Sequence, residues 1–230
     1  MPDPHATIRA DLHNHTYYSP DSLVSPVQML QRAREARLSV IAVTDHNTVR
    51  GGIAVRDLAA KRDPDIRVIV GEEVRTKDGE VLGLFLSQDI PPGLSAEETI
   101  DRIHAQGGLA GAPHPFDPLR SGLGNEHLRA VCDKLDFVEA LNARMVRHRD
   151  NDRARQFAAE HNMPMTAASD AHSPREVGRC FVEMRNYQTT HQFLESLRAG
   201  HLAGGLSSPF VHWISRYAAI RHKLGWKPPA

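Results

Sequence analysis

Asp11-Leu12-His13-Asn14-His15 sets a carboxylate and two imidazoles at alternate positions, so on an extended backbone all three leave one face. Two imidazoles a few ångströms apart at a strand end are a natural start for a divalent metal site. The same residue types return further along, in Thr44-Asp45-His46, Gly71-Glu72-Glu73, Pro113-His114-Pro115 and Ser169-Asp170-Ala171-His172. All of these side chains offer nitrogen or oxygen, and the two cysteines, Cys132 and Cys180, form no C-x-x-C pair. That donor set suits zinc, manganese or iron and disfavours a thiolate-held structural zinc. Six or more ligands exceed the four of one tetrahedral ion, which implies two or three divalent ions. Clustered divalent ions stabilise the charge of an in-line phosphoryl displacement and generate hydroxide near neutral pH.

The elements that must position these groups are short. Apolar runs at 40–43, 67–70, 109–112, 137–140 and 165–168 read as buried strands; each ends at or just before one of the groups above, except 137–140, which carries a further carboxylate, Glu139. Asp78-Gly79 signals a hairpin into a strand at 81–86, and 180–184 reads as a last strand. Helices are expected after Ser25-Pro26 and over 52–61, 95–106, 126–135, 143–161, 190–199 and 215–224, with Trp213 and Tyr217 as packing anchors of the last. Strands and helices thus alternate about seven times, which argues for a parallel sheet flanked by helices. In a closed parallel barrel the C-terminal strand ends converge on one mouth, where barrel active sites lie. Donors at six strand ends are therefore expected to meet.

Composition bounds the rest. At 230 residues, with 40% hydrophobic and 24% charged residues, the chain reads as a single globular domain over 1–230. Its motif core spans about 8–184 and a helical extension about 190–225. The 28 basic and 28 acidic residues cancel, so no global charge argues for nucleic acid or a membrane surface. Fourteen histidines against seven phenylalanines is unusual; His5, His191, His201 and His222 read as surface residues, and His104 as a surface or packing residue. Two cysteines, no apolar run near the roughly 20 residues of a membrane span and a start without a leader pattern lead to the expectation of a cytoplasmic protein.

In these motifs, taken in order, the chain resembles the PHP family, the polymerase and histidinol phosphatase superfamily of metal-dependent phosphoesterases. The resemblance implies an α/β fold, a distorted (β/α)7 barrel, with a two- or three-metal centre at the C-terminal face of the strands. It implies that His13 and His15 share one ion with Glu73 and Asp170, and that Glu73 bridges to a second ion held by His114. A third ion would take His46, His172 and Asp21. Glu72 is then structural, and Asp11 and Asp45 orient imidazoles, Asp45 with the option of reaching a metal. Several family members supply another histidine to the second ion from between Glu73 and His114; here that hairpin reads Glu80-Val81-Leu82-Gly83-Leu84-Phe85. The second ion is accordingly expected to be weakly held, completed by water, or helped by Glu139.

The expected reaction is hydrolysis of a phosphomonoester or phosphodiester by a hydroxide bridging two ions, on a small phosphorylated metabolite, a nucleotide or an oligonucleotide end. The expected catalytic group is His172, His46 and Asp45, with His172 or His46 protonating the leaving oxygen. Arg144 and Arg120 are the expected phosphate clamps, ahead of Arg75 and Arg179. Tyr17, Tyr18 and Phe116 lie beside ligand motifs, where they would stack a base or pack the rim. Two other readings stay open: an amidohydrolase-type carbon–nitrogen hydrolase and a non-catalytic scaffold. The first also opens with H-x-H but brings a bridging lysine, whereas Lys61, Lys77 and Lys134 fall in helices or turns.

Overall fold

The computed structural model describes residues 6–226, so His5 lies outside the described residues. In chain order the elements are β1 (Thr7–Asp11), α1 (Pro26–Glu35), β2 (Val40–Val43), α2 (Arg50–Arg62), β3 (Arg67–Arg75) and β4 (Glu80–Leu84). These are followed by α3 (Ala96–Ala105), β5 (Leu109–Ala112), α4 (Gly124–Val131), β6 (Phe137–Asn142), α5 (His148–Glu160) and β7 (Met165–Ala168). The chain finishes with β8 (Cys180–Arg185), α6 (Thr190–Arg198), β9 (His201–Gly204) and α7 (Val211–Lys223).

Helix starts follow local chemistry. Ser25 caps α1 through Gln28, whose side chain returns the bond, with Pro26 at the first helical position. Ser95 caps α3. The expected helix over 143–161 begins only at His148, because 143–147 forms a loop above β6. Within the C-terminal stretch expected to be helical, β9 pairs antiparallel with β8 before α7 begins. Trp213 and Tyr217 do not anchor α7: they are 67% and 54% exposed, while Val211 and Ala218 face the protein.

The sheet order is β7-β6-β5-β4-β3-β2-β1-β8-β9. β1, β2 and β3 are mutually parallel, as are β5, β6 and β7; β4 runs against both of its neighbours. The sheet is therefore mixed, since the turn at 76–79 returns the chain at once. Backbone bonds from His15 N to Ala171 O (2.9 Å) and Asp170 N to His13 O (2.8 Å) join the ends of β1 and β7, so the sheet is a nearly closed, distorted barrel.

Alternation divides each strand between interior and helices. Val40 and Ala42 join Leu82, Leu84, Phe137 and Val182 in a cluster fed by strands all round the sheet, whereas Ile41 and Val43 pack with residues of α1 and α2. Phe137 fills the interior so closely that a Cβ on Gly111 would lie 2.1 Å from its ring. Phe193 and Leu197 of α6 pack into the same cluster, and Arg67, at the start of β3, donates to Tyr187 O. α6 thus covers the end opposite the C-terminal rim. Among the described residues no helix is long and apolar enough to cross a membrane.

Candidate metal centre

Beyond β1 the chain passes straight into His13 and His15, whose Nε2 atoms lie 3.0 Å apart at the rim. Both face Glu73 Oε2 at 3.3 Å and Asp170 Oδ1 at 3.9 and 3.4 Å. On the other side of Glu73, Oε1 lies 2.9 Å from His114 Nε2. A third group gathers round Asp21, whose Oδ2 is 3.1 Å from His172 Nε2 and 3.5 Å from His46 Nε2; His46 Nδ1 is 3.1 Å from Glu73 Oε2. All eight side chains named in the expected ligand set therefore come to one rim. Asp170 and His114 hold φ of +51° and +26°, values that non-glycine residues adopt only where the surroundings impose them.

Hydrogen bonds behind the imidazoles fix which nitrogen faces the centre. His13 Nδ1 donates to Glu139 Oε1 (3.1 Å), His172 Nδ1 to the carbonyl of Asp170 (2.8 Å) and His15 Nδ1 to Ser19 Oγ (3.1 Å). Ser19 Oγ also accepts from His46 N and donates to Asp45 Oδ1 (2.7 Å). Each Nδ1 proton being engaged behind, the Nε2 lone pairs turn inward, as ligands require.

Asp45 is occupied wholly by this support, accepting from Thr16 N, Thr16 Oγ1 and Ser19 Oγ, each at 2.7 Å. Asp11 reaches no imidazole among its bonds; it accepts from Ser169 N and Gly178 N (both 2.9 Å) and ties down the loop carrying Asp170 and His172, with burial raising its carboxyl to about 6. Glu139 accepts from His114 N (2.7 Å) and Asn142 Nδ2 (2.8 Å) as well as from His13. Glu72 points elsewhere, to Ile90 N (2.8 Å).

Burial and close neighbours set the electrostatics of the cluster. Burial, followed by the neighbouring His172 and His46, drives the His15 pKa well below its usual range. Burial and then Arg144 bring His172 down to about 4. Burial opposes charge on His13, but Glu73 and Glu139 outweigh it and hold a proton there up to about 10. A proton on Nε2 is what a divalent ion displaces on entry. The residues fit metal by a second measure as well. His13, Glu73 and His114 each present a donor atom within 4.8 Å of the others, as do His13, His15 and Asp170, and His15, His46 and His172. Buried His114 Nδ1 and Asp21 Oδ1 have no hydrogen-bond partner.

A cavity of about 600 Å³ opens over these groups. Arg120 and Arg144 stand on its wall: Arg120 reaches Asp117, Asn142 and Asp170, and Arg144 is held by Glu176, Val211 O and Ser215 Oγ. Arg75 and Arg179 do not line it; Arg179 donates to Leu206 O. His104 binds Asp136 at the surface. Phe116 is buried against Phe157 beneath Arg153, so it packs α5 and offers no face to a base. Tyr17 and Tyr18 pack on each other outside the cavity lining.

Two residues that the sequence reading left unmarked share this mouth. Glu80 opens β4 with its side chain 11% exposed, and His212 comes from the head of α7. The sequence did hold a signal for Glu80. The Asp78-Gly79 hairpin reverses β4, so its first residue, and not its last, meets the C-terminal rim.

Comparison with known proteins gives a concordant result. A family model described as PHP domain matches residues 11–130, and one described as PHP-associated matches residues 148–202. An uncharacterized protein of Methanocaldococcus jannaschii is 44% identical over 153 residues, 62% of this chain and 85% of that protein. A 5′-3′ exoribonuclease of Salmonella typhimurium is 33% identical over 76 residues, 33% of this chain and 26% of the enzyme. Among solved structures, a two-domain protein of Bacteroides vulgatus containing a predicted PHP-like metal-dependent phosphoesterase superposes with a TM-score of 0.71 at 20% identity, over 94% of this chain and 71% of that one.

Proposed function

The chain belongs to the PHP domain family, and from that premise we propose that it is a metal-dependent hydrolase of phosphoric esters, using two or three divalent ions. The observation that carries the reading is one rim where His13, His15, Glu73, His114, Asp170 and His172 converge beneath a cavity walled by Arg120 and Arg144. His13, His15, Glu73 and Asp170 would hold one ion, Glu73 and His114 a second, and His46, His172 and Asp21 a third. Bound there, divalent ions supply Lewis-acid polarisation of phosphoryl oxygens and lower the pKa of water.

The remaining work falls to the chain. Arg144, pinned by Glu176 and Ser215, and Arg120 offer planar guanidinium groups to the non-bridging oxygens of a phosphate, in a place where bidentate donors orient the ester for in-line attack. His46 and His172 stand on the cavity wall; the Nδ1 proton of His172 is given to the Asp170 carbonyl and its Nε2 turns a lone pair inward, so His46 is the one that would deliver a proton to a leaving oxygen when it holds no ion. Asp45 acts behind them through Ser19, keeping His15 in its ligating tautomer. The substrate class is a phosphorylated small molecule, a nucleotide or an oligonucleotide end; the exoribonuclease among the relatives favours the latter two. Carbon–nitrogen hydrolysis of the bridging-lysine kind is disfavoured, because among the described residues no lysine lines the cavity. A scaffold role is disfavoured by the complete set of inward-facing donors.

The test is hydrolysis of p-nitrophenyl phosphate and of bis(p-nitrophenyl) phosphate by the full chain reloaded with manganese. Turnover of at least one ester is expected, with His13→Ala and Asp170→Ala lowering it by at least about 10³-fold, on the scale of losing a charge-stabilising group. Wild-type rates in both variants, or no turnover of either ester or of short oligonucleotides, would sink the proposal.

A further inference from the structure

Glu80 deserves a role that the motif pattern does not give it. Leu82, paired with Glu73 across β3 and β4, points into the barrel interior; Glu80, two residues nearer the rim, leaves the same face. Its Oε2 lies 3.8 Å from His114 Nε2, and Glu80, Glu73 and His46 present donor atoms all within 4.8 Å of one another. Glu73 and Glu80 are thus two nearly buried carboxylates facing one space. Arg120, on the wall of the same cavity, pairs with Asp117 and Asp170. Like charges so placed must take up a proton or share a cation. No histidine between Glu73 and His114 competes for the position, since His104 is held by Asp136 at the surface.

We propose that Glu80 is a ligand of the second ion, completing a set with Glu73 and His114, and that its carboxylate tunes this position to a hard, oxygen-seeking cation such as manganese over zinc. In the same stretch several family members supply a histidine. Replacing imidazole by carboxylate changes a nitrogen-rich set into one with two carboxylates and a single nitrogen, the kind of site that manganese and magnesium occupy. The weakness expected of the second ion is thereby removed: the missing ligand is present in another chemical form, on a strand whose direction hides it. This inference rests on the metal-dependent reading above, but not on which bond is cleaved.

The experiment counts ions rather than turnover. The full chain is stripped with chelator, shown to remain folded by circular dichroism and melting temperature, and titrated separately with manganese and zinc by calorimetry. Bound ions are counted by mass spectrometry after gel filtration, and manganese spectra are recorded by electron paramagnetic resonance. Glu80→Gln is expected to lose one manganese ion per chain, or at least tenfold in affinity for one class of site, and to convert a spin-coupled signal into an isolated one. Glu80→His is expected to keep the ion count and move the zinc-to-manganese affinity ratio at least tenfold towards zinc. Unchanged manganese count and affinity in folded Glu80→Gln overturns the proposal, and so does an unchanged metal ratio in Glu80→His. A chain that binds ions as described yet cleaves no phosphoester would overturn the functional reading and leave this assignment standing.

Discussion

Ser19 shows how much of the centre depends on a residue with no ligand chemistry of its own. One hydroxyl accepts from His15 Nδ1 and His46 N and donates to Asp45 Oδ1, with Ser19, His15 and Asp45 fully buried. Removing it leaves His15 Nδ1 and His46 N without this acceptor, each costing about 1–3 kcal/mol unless water takes its place, while Asp45 Oδ1 keeps Thr16 N. It also releases the tautomer of His15, a loss of the sort that lowers metal affinity or activity about 10–100-fold. Ser19→Ala should therefore reduce both melting temperature and phosphoester turnover, read by calorimetry and by a manganese-loaded rate assay. Retention of both would show that Asp45 and His15 hold their places unaided. The residues proposed as ligands were legible as a convergent group, because imidazoles and carboxylates at strand ends are rare enough to stand out. Ser19 was not, since a serine in Tyr18-Ser19-Pro20 looks like any turn residue until the chain is folded round it.

Elements decide what reaches the rim, and here sequence reading succeeded by halves. Continuous apolar runs announced β2, β5, β6 and β7, and the caps announced α1 and α3, because those signals are local. Strand direction is not local. Alternation suggested a parallel sheet, whereas the hairpin turned β4 over and brought Glu80 to the mouth. α7 was mistaken in its packing for a related reason: Trp213 and Tyr217 are apolar enough for a core, yet Val211 and Ala218 make the contact. The approach of α2 to the loop after β1 is equally invisible in composition. A Cβ on Gly51 would fall 1.8 Å from Asp45 Oδ2 and 2.4 Å from Thr16 Oγ1, so only glycine lets the helix start there without displacing the carboxylate. Gly51→Ala should push Asp45 off Thr16 and Ser19 and lower turnover at least tenfold, although residue 51 touches no ligand. Gly205→Ala, with nothing within 4 Å of the added carbon, is the control expected to leave rate and melting temperature unchanged. Equal behaviour of the two variants would refute the steric account.

At the scale of the molecule, the centre is also a fastener. β1, β3, β5 and β7 each contribute donors that lie over 20 residues apart along the chain, and the closure of β1 onto β7 occurs through the very segments carrying His13, His15 and Asp170. The interior cluster round Phe137 and Leu82 holds the strands lower down without help from ions. At the rim, by contrast, packed carboxylates repel until a cation or a proton intervenes. An ion binding only the folded chain adds about 2.7 kcal/mol per site at a hundredfold excess over its dissociation constant. For a chain of this length that corresponds to about 5–10 °C in melting temperature per site. Chelation should therefore lower the melting temperature by roughly 10 °C or more for two sites and restore it on addition of manganese. Hydrogen exchange should locate the loss: amides of His15 and Asp170, which bridge β1 and β7, should exchange faster without ions, while those of β6 round Phe137 keep their protection. A uniform loss of protection would mean that the ions hold up the whole barrel; no loss would mean that the rim closes by backbone pairing alone.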